Sequence, residues 1–284
     1  MKKLNLTDKR NPDYFYSEAI KTLRTNIQLS GQSIKTILVT SCYPNEGKSD
    51  IVLSLAQELG SIGKKVLLLD ADIRKTAYAG RLGVEEEVKG LSQLLSGQVG
   101  LQEIIYSTNF PNMDIIFGGP SAPNPSGLLS ENIFKVFLKE IREYYNYILI
   151  DTPPIGTVID AAVIGRCCDG AVFLIEPGNV RYRDAQKAFK QLERSGCRIL
   201  GAVMNKIDTS DDFLRAVELF LTCADSLQNS ELYVNDAIEY AAYYVAAKAD
   251  KLYVKALEEN TIGDKLAAQY TLRQVVDLLL DVDK

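Results

Sequence analysis

Residues 37–49 read Ile-Leu-Val-Thr-Ser-Cys-Tyr-Pro-Asn-Glu-Gly-Lys-Ser, a short apolar run, a turn and then Gly47-Lys48-Ser49. A helical pattern follows over 49–62. A buried strand that ends in a Gly-Lys-Ser turn and opens a helix is the setting of a phosphate-binding loop. In such a loop the backbone N–H groups of the turn and helix start wrap an anion, here at Asn45, Glu46, Gly47 and Asp50. Lys48 would reach the β- and γ-phosphates, and the Ser49 hydroxyl would bind Mg²⁺. Cys42 stands where the usual pattern has its first glycine. Taken alone, the stretch reads equally as a solvated turn before an ordinary helix.

Two further strand ends tip the balance. Val66-Leu67-Leu68-Leu69 runs into Asp70-Ala71-Asp72, and Tyr147-Ile148-Leu149-Ile150 runs into Asp151-Thr152-Pro153-Pro154. A single aspartate at a strand end is more often a turn or cap residue. Three of them around one phosphate loop suit phosphoryl transfer. Mg²⁺ in such sites keeps several waters and takes one or two carboxylates beside phosphate oxygens. The third carboxylate is then left over as a base.

Outward from these motifs, Met113–Ile116, Gly170–Ile175 and Ile199–Met204 are further strand candidates, with helical patterns over 131–144, 160–167 and 182–195. Most of the strand runs are too continuously apolar to have a wet face, which suits the centre of a parallel sheet. The alternation predicts a doubly wound α/β domain with a mostly parallel sheet, of the phosphate-loop NTPase type. Its functional groups should collect at the carboxyl ends of the strands.

The chain has 284 residues, 32 basic and 37 acidic side chains, and a net charge of −5. That balance gives no footprint for general nucleic-acid binding. There is no histidine, which removes histidine bases, histidine metal ligands and Ser-His or Cys-His nucleophile pairs. The five cysteines (Cys42, Cys167, Cys168, Cys197 and Cys223) form no Cys-x-x-Cys pair. A disulfide scaffold and a structural zinc site are not expected, and a reducing compartment is. The lysines at the N-terminus precede no apolar stretch, so no signal peptide and no direct membrane insertion are expected.

Composition divides the chain into an N-terminal helical segment over 1–30, an α/β domain over 31–208 and an extension over 209–284 without strand signals. Three helices are expected in the extension, at roughly 211–228, 231–259 and 263–282.

With its three motifs in order, the chain resembles the bacterial tyrosine kinases that accompany capsule and exopolysaccharide synthesis. The resemblance covers roughly residues 14–208. It rests on TSCYPNEGKS, VLLLDADIRK and ILIDTPP, with GLSQLLSG (90–97), GPSAPNPSGLLS (119–130), DAAVIGRCCDGAVFLIEPG (160–178) and RILGAVMNKID (198–208) in support. It implies ATP and Mg²⁺, with Lys48 on the phosphates and Ser49, Asp72 and Asp151 at the metal. Asp70 becomes the base that accepts the tyrosine proton, and Lys48, Asp70 and Asp72 the catalytic set. Arg74 and Lys75 take the family's usual basic positions. Asn205 follows the last strand, where such sheets contact the base or simply turn. Glu18, Lys21 and Arg24 resemble the stretch through which family members close into a homo-oligomeric ring, with lysine in place of the first arginine. At a spacing of three they should share a helical face, for assembly or as a solvated charged ridge. A membrane adaptor, the cytoplasmic segment of a polysaccharide co-polymerase or chain-length regulator, is the implied partner, placing a cytoplasmic protein at the inner face of the membrane.

The departures from the family are specific. Asp50 replaces a threonine near the α-phosphate. At about 4–5 Å in a partly screened site its charge would oppose ATP by a few kcal/mol. Alternatively it only favours the positive end of its own helix. Asn45 replaces a frequent glycine, and Gly127 a frequent acidic residue. Tyr233, Tyr240 and Tyr244 lie in helical sequence with the spacing of a packing stripe rather than in a flexible acceptor tail. Two alternatives to a kinase therefore stand: a partitioning-type ATPase switch, and a catalytically silent scaffold. Against the switch, Tyr43 occupies the position of that group's signature lysine.

Overall fold

The computed structural model describes residues 2–75 and 78–206. The chain divides into two units, Met1–Asp212 and Phe213–Lys284. The helices and tyrosine stripe expected beyond residue 209 lie outside the described residues. In chain order the elements are β1 (Lys2–Leu4), α1 (Tyr14–Leu29), β2 (Thr36–Ser41), α2 (Lys48–Ser61), β3 (Val66–Asp70), α3 (Tyr78–Arg81), α4 (Leu91–Leu95), β4 (Tyr106–Thr108), β5 (Met113–Ile116), α5 (Pro125–Ser130), α6 (Asn132–Ile141), β6 (Tyr147–Asp151), α7 (Asp160–Gly165), β7 (Gly170–Ile175), α8 (Tyr182–Arg194) and β8 (Ile199–Met204). All six expected strands and all four expected inter-strand helices form.

The strands make one sheet in the order β1-β4-β5-β3-β6-β2-β7-β8. Pairs from β5 to β8 are parallel. β4 lies antiparallel to β5, and β1 parallel to β4, so this edge runs against the rest. Every residue of β2, β3 and β7 is buried. This double-sided burial is why those strands read as unbroken apolar runs rather than alternating ones. Val52, Leu55, Ala56 and Leu59 of α2 pack into the same core as Val39, Leu68 and Leu149. Each such leucine or isoleucine contributes about 1.5–3 kcal/mol by leaving water.

The first thirty residues are built into this domain. Asp13 caps α1, its carboxylate accepting from the Tyr16 N–H at 2.7 Å. Ile27 of α1 joins the main core together with Leu4 and Leu6, and Ile20 packs with Ile51 and Leu174. No helix among the described residues is long and apolar enough to cross a membrane.

Asn124 explains Gly127. Its side chain caps α5 by accepting from the Gly127 N–H at 3.2 Å. A Cβ at 127 would lie 2.2 Å from the Asn124 amide nitrogen. The cap and the glycine go together, since a side chain at 127 would displace the cap.

Candidate active site

β2 delivers the loop 42–47 to the carboxyl edge of the sheet. Gly47 has φ +93° and precedes α2 without any side-chain cap; its carbonyl takes the Asp50 N–H, which leaves the N–H groups of Lys48 and Ser49 to the loop. A Cβ on Gly47 would sit 2.1 Å from Asn205 Nδ2, so only glycine serves here. Asn45 also takes a left-handed conformation, φ +67°, which asparagine tolerates in place of glycine. Lys48 is buried and donates to Ser41 Oγ at 2.9 Å. Burial lowers its proton affinity, opposed by Asp151, Glu46 and Asp72.

The loop is held from outside by β7, β8 and α8. The Glu46 carboxylate is fully buried and points into the protein, where it accepts from the Tyr43 N–H and, at 3.2 Å, from the Glu176 N–H. Its side chain is a brace of the loop, so only its backbone remains for a phosphate. Asn205 is likewise engaged: its amide donates to Glu46 O at 2.8 Å. Lys206 Nζ reaches Asn45 O at 2.6 Å and Glu176 at 3.0 Å. The Tyr43 hydroxyl donates to Asp184 on α8 at 2.9 Å, within its own chain.

β3 and β6 are neighbours, and Asp70 and Asp151 are partners in register. β6 in turn pairs with β2. All three motifs therefore meet on one edge, as the strand order requires. Both carboxylates are buried. Asp70 accepts from the Asp72 N–H at 3.1 Å and, weakly, from the Gly118 N–H at 3.4 Å. Burial, then Asp151 and Asp72, hold its carboxyl well above the usual range. Burial pushes Asp151 up to about 6 against the Ser49 hydroxyl, the Lys48 charge and the Tyr78 hydroxyl, which pull it down. Asp151 Oδ1 is a buried oxygen with no hydrogen-bond partner. Asp72 is only part-buried. It accepts from the N–H groups of Arg74 and Lys75 at 3.2 and 3.1 Å, and burial raises its carboxyl too.

This donor set fits Mg²⁺. An unpartnered carboxylate oxygen beside a serine hydroxyl suits a hard cation that takes few protein ligands. Among the described residues no group of three or more His, Cys, Asp or Glu side chains is placed to hold a metal by itself.

Several site residues carry no local sequence signal. Tyr78 is buried and donates to Ser49 O at 3.1 Å. Arg74 forms a two-pronged pair with Asp160, 2.7 and 2.9 Å, and Ser126 donates to the same carboxylate at 2.6 Å. That network ties the Asp72 turn to α5 and α7. Asp50 is paired with Arg81 and lies 3.6 Å from Arg10. Asp50 is therefore an ion-paired carboxylate rather than a free one. Glu18, Lys21 and Arg24 find different partners within the chain. Lys21 pairs with Glu18 at 2.7 Å on the exposed face, whereas Arg24 turns to Glu58 of α2 at 2.5 Å.

Tyrosine-protein kinase CpsD of Streptococcus pneumoniae is 41% identical to this chain over 195 residues, 69% of the chain and 86% of the relative. The chain belongs to the bacterial tyrosine-protein kinase family. Tyrosine-protein kinase YwqD of Bacillus subtilis is 35% identical over 203 residues, covering 71% and 85% of the two chains. The family described as AAA domain matches residues 34–166. Among solved structures, the kinase domain of Escherichia coli tyrosine kinase ETK superposes with a TM-score of 0.64 at 29% identity, over 69% of this chain and 78% of that one. The septum site-determining protein MinD of Pyrococcus horikoshii shares the fold, with a TM-score of 0.56 at 21% identity over 73% and 96%.

Proposed function

We propose that this member of the tyrosine-kinase family uses ATP and Mg²⁺ to phosphorylate tyrosines on neighbouring copies of itself. One observation carries the reading: Lys48, Asp70, Asp72 and Asp151, with its unpartnered Oδ1, surround a single phosphate loop. Phosphoryl transfer asks the protein mainly for positioning and for charges that match the transition state. Lys48 supplies the positive charge at the transferred group. The cradle is the backbone of residues 45–50, kept in shape by the Glu46, Asn205 and Lys206 braces. Ser49, Asp151 and Asp72 would hold the metal, which would supply charge neutralisation on the phosphate oxygens. Asp70 accepts the tyrosine proton. Its surroundings raise its proton affinity, and a carboxylate that binds a proton more tightly is the stronger base.

The setting follows from the family resemblance: regulation of capsular or exopolysaccharide synthesis and export, at the inner face of the membrane. The cytoplasmic segment of a polysaccharide co-polymerase serves as the adaptor. A ring of copies would use the exposed Glu18–Lys21 pair of α1, beside Tyr14 and Phe15, which are 71% and 61% exposed.

Tandem mass spectrometry after incubating the full chain with Mg-ATP tests the proposal. Phosphotyrosine is expected in the native protein and in Asp50→Thr, and not in Lys48→Met. Steady phosphate release without phosphotyrosine in the native protein would instead establish an ATPase switch.

A further inference from the structure

We propose that Arg81 is a positioning residue for the nucleotide: as the counter-ion of Asp50, it lets a carboxylate stand in the first turn of α2 beside the phosphate cradle. The inference rests on the nucleotide-binding reading above and adds a residue to it.

Asp50 follows Lys48 and Ser49 directly, and its N–H donates to Gly47 O at 3.1 Å. Asp50 stands in the first turn of α2 next to Lys48 and Ser49, so an unpaired carboxylate there would add negative charge beside an entering polyphosphate. It is not unpaired. Arg81 Nη2 pairs with Asp50 Oδ1. Arg10 Nη1 is 3.6 Å from the same oxygen and donates to the Asp50 carbonyl at 2.7 Å and to Ser54 Oγ at 3.0 Å.

The two arginines are not equivalent. Arg10 grips Asp8 with both prongs of its guanidinium, Nε to Oδ1 at 2.9 Å and Nη2 to Oδ2 at 2.6 Å. Asp8 already matches its charge, so Arg10 anchors the backbone more than it neutralises Asp50. Among the described residues Arg81 pairs with no other carboxylate and is the matching charge for Asp50. Its placement is built in. Tyr78 lies three residues earlier, on the same face of the single-turn α3, and its hydroxyl holds Ser49 O at 3.1 Å. One turn of helix thus grips Ser49 and Asp50 together.

A half-exposed ion pair of this kind adds little to fold stability. What it changes is the charge that an incoming phosphate meets. Removing Arg81 exposes that charge; removing Asp50 as well makes Arg81 irrelevant.

Isothermal titration calorimetry of Mg-ADP on the full chain tests this, with Lys48→Met as the control for the loop itself. Arg81→Gln is expected to weaken binding about 5- to 10-fold at low salt, with the loss shrinking at high salt. Arg81→Lys should recover most of it. In an Asp50→Asn background, Arg81→Gln should have no effect, since the two substitutions act through one interaction. Thermal midpoints of all these variants should stay with the native protein. Equal loss from Arg81→Gln in both backgrounds, or no loss in the native background, would overturn the inference. If native and Lys48→Met proteins bind Mg-ADP alike, or neither binds, the nucleotide reading itself fails and the inference falls with it.

Discussion

Both edges of the sheet bury carboxylates, and they treat them in opposite ways. At the amino edge, Asp169 receives the N–H groups of Lys35 and Thr36 at 2.9 and 2.7 Å and the guanidinium of Arg142. Burial alone would raise its carboxyl, but Arg142 and the two N–H groups outweigh it and hold it low. Asp114, on the same edge, receives the buried Tyr145 hydroxyl at 2.8 Å. At the carboxyl edge, Asp70 and Asp151 are more deeply buried than the half-buried Asp169 and crowd one another, and an oxygen of Asp151 goes unpartnered. One edge uses its charges to close the fold. The other holds charges that the fold by itself disfavours, which is how a site is kept ready for a cation and a phosphate.

The contrast can be broken first at the loop. Lys48→Met should lower phosphotyrosine formation by at least about 100-fold, since a positioned charge on the transferring group is lost. Its circular dichroism and unfolding midpoint should remain native. At the other edge the outcome reverses. Asp169→Ala strands two N–H groups and Arg142, and should cost about 1–3 kcal/mol in urea denaturation while the folded fraction keeps its activity. Tyr145→Phe removes the partner of a buried carboxylate and should cost about 1–2 kcal/mol in the same assay. The smallest perturbation probes how dry the phosphate loop is. Burial pushes the Cys42 thiol up to about 12, with Glu46 and Asp184 adding to it. At pH 8 iodoacetamide should leave Cys42 unlabelled in the native protein and label it in urea, read by peptide mass.

Sequence patterns carried the central strands and the motif acids because each signal is local: an apolar run, then a carboxylate. β1 and β4 escaped, being three-residue strands at one edge, Lys-Lys-Leu and Tyr-Ser-Thr, with no apolar run to mark them. The Arg10 and Arg81 contacts to Asp50 span 40 and 31 residues, so Asp50 looked like an unpaired charge until the fold brought them together. Glu46 shows a different limit. Its place in the loop was evident, but whether its carboxylate faced a ligand or the interior depended on β7 lying alongside. The same holds for Arg24, whose helical spacing put it with Glu18 and Lys21 while packing gave it to Glu58.

The central claim, that the carboxyl edge holds carboxylates at the expense of the fold, is tested most directly with Asp151→Asn. For a carboxyl raised to about 6 from an ordinary 3.8, folded and unfolded chains are both protonated below pH 4 and the group has no effect. Between about pH 4 and pH 6 the unfolded chain ionises while the folded chain keeps its proton, and above about 6 the folding penalty levels off on the order of 2–3 kcal/mol. Urea denaturation without nucleotide or metal should therefore find Asp151→Asn more stable than the native protein at pH 8, with the gap closing by pH 4. Adding Mg-ADP should stabilise the native protein far more than the variant. A variant less stable than native at pH 8, or one stabilised equally by Mg-ADP, would contradict the account.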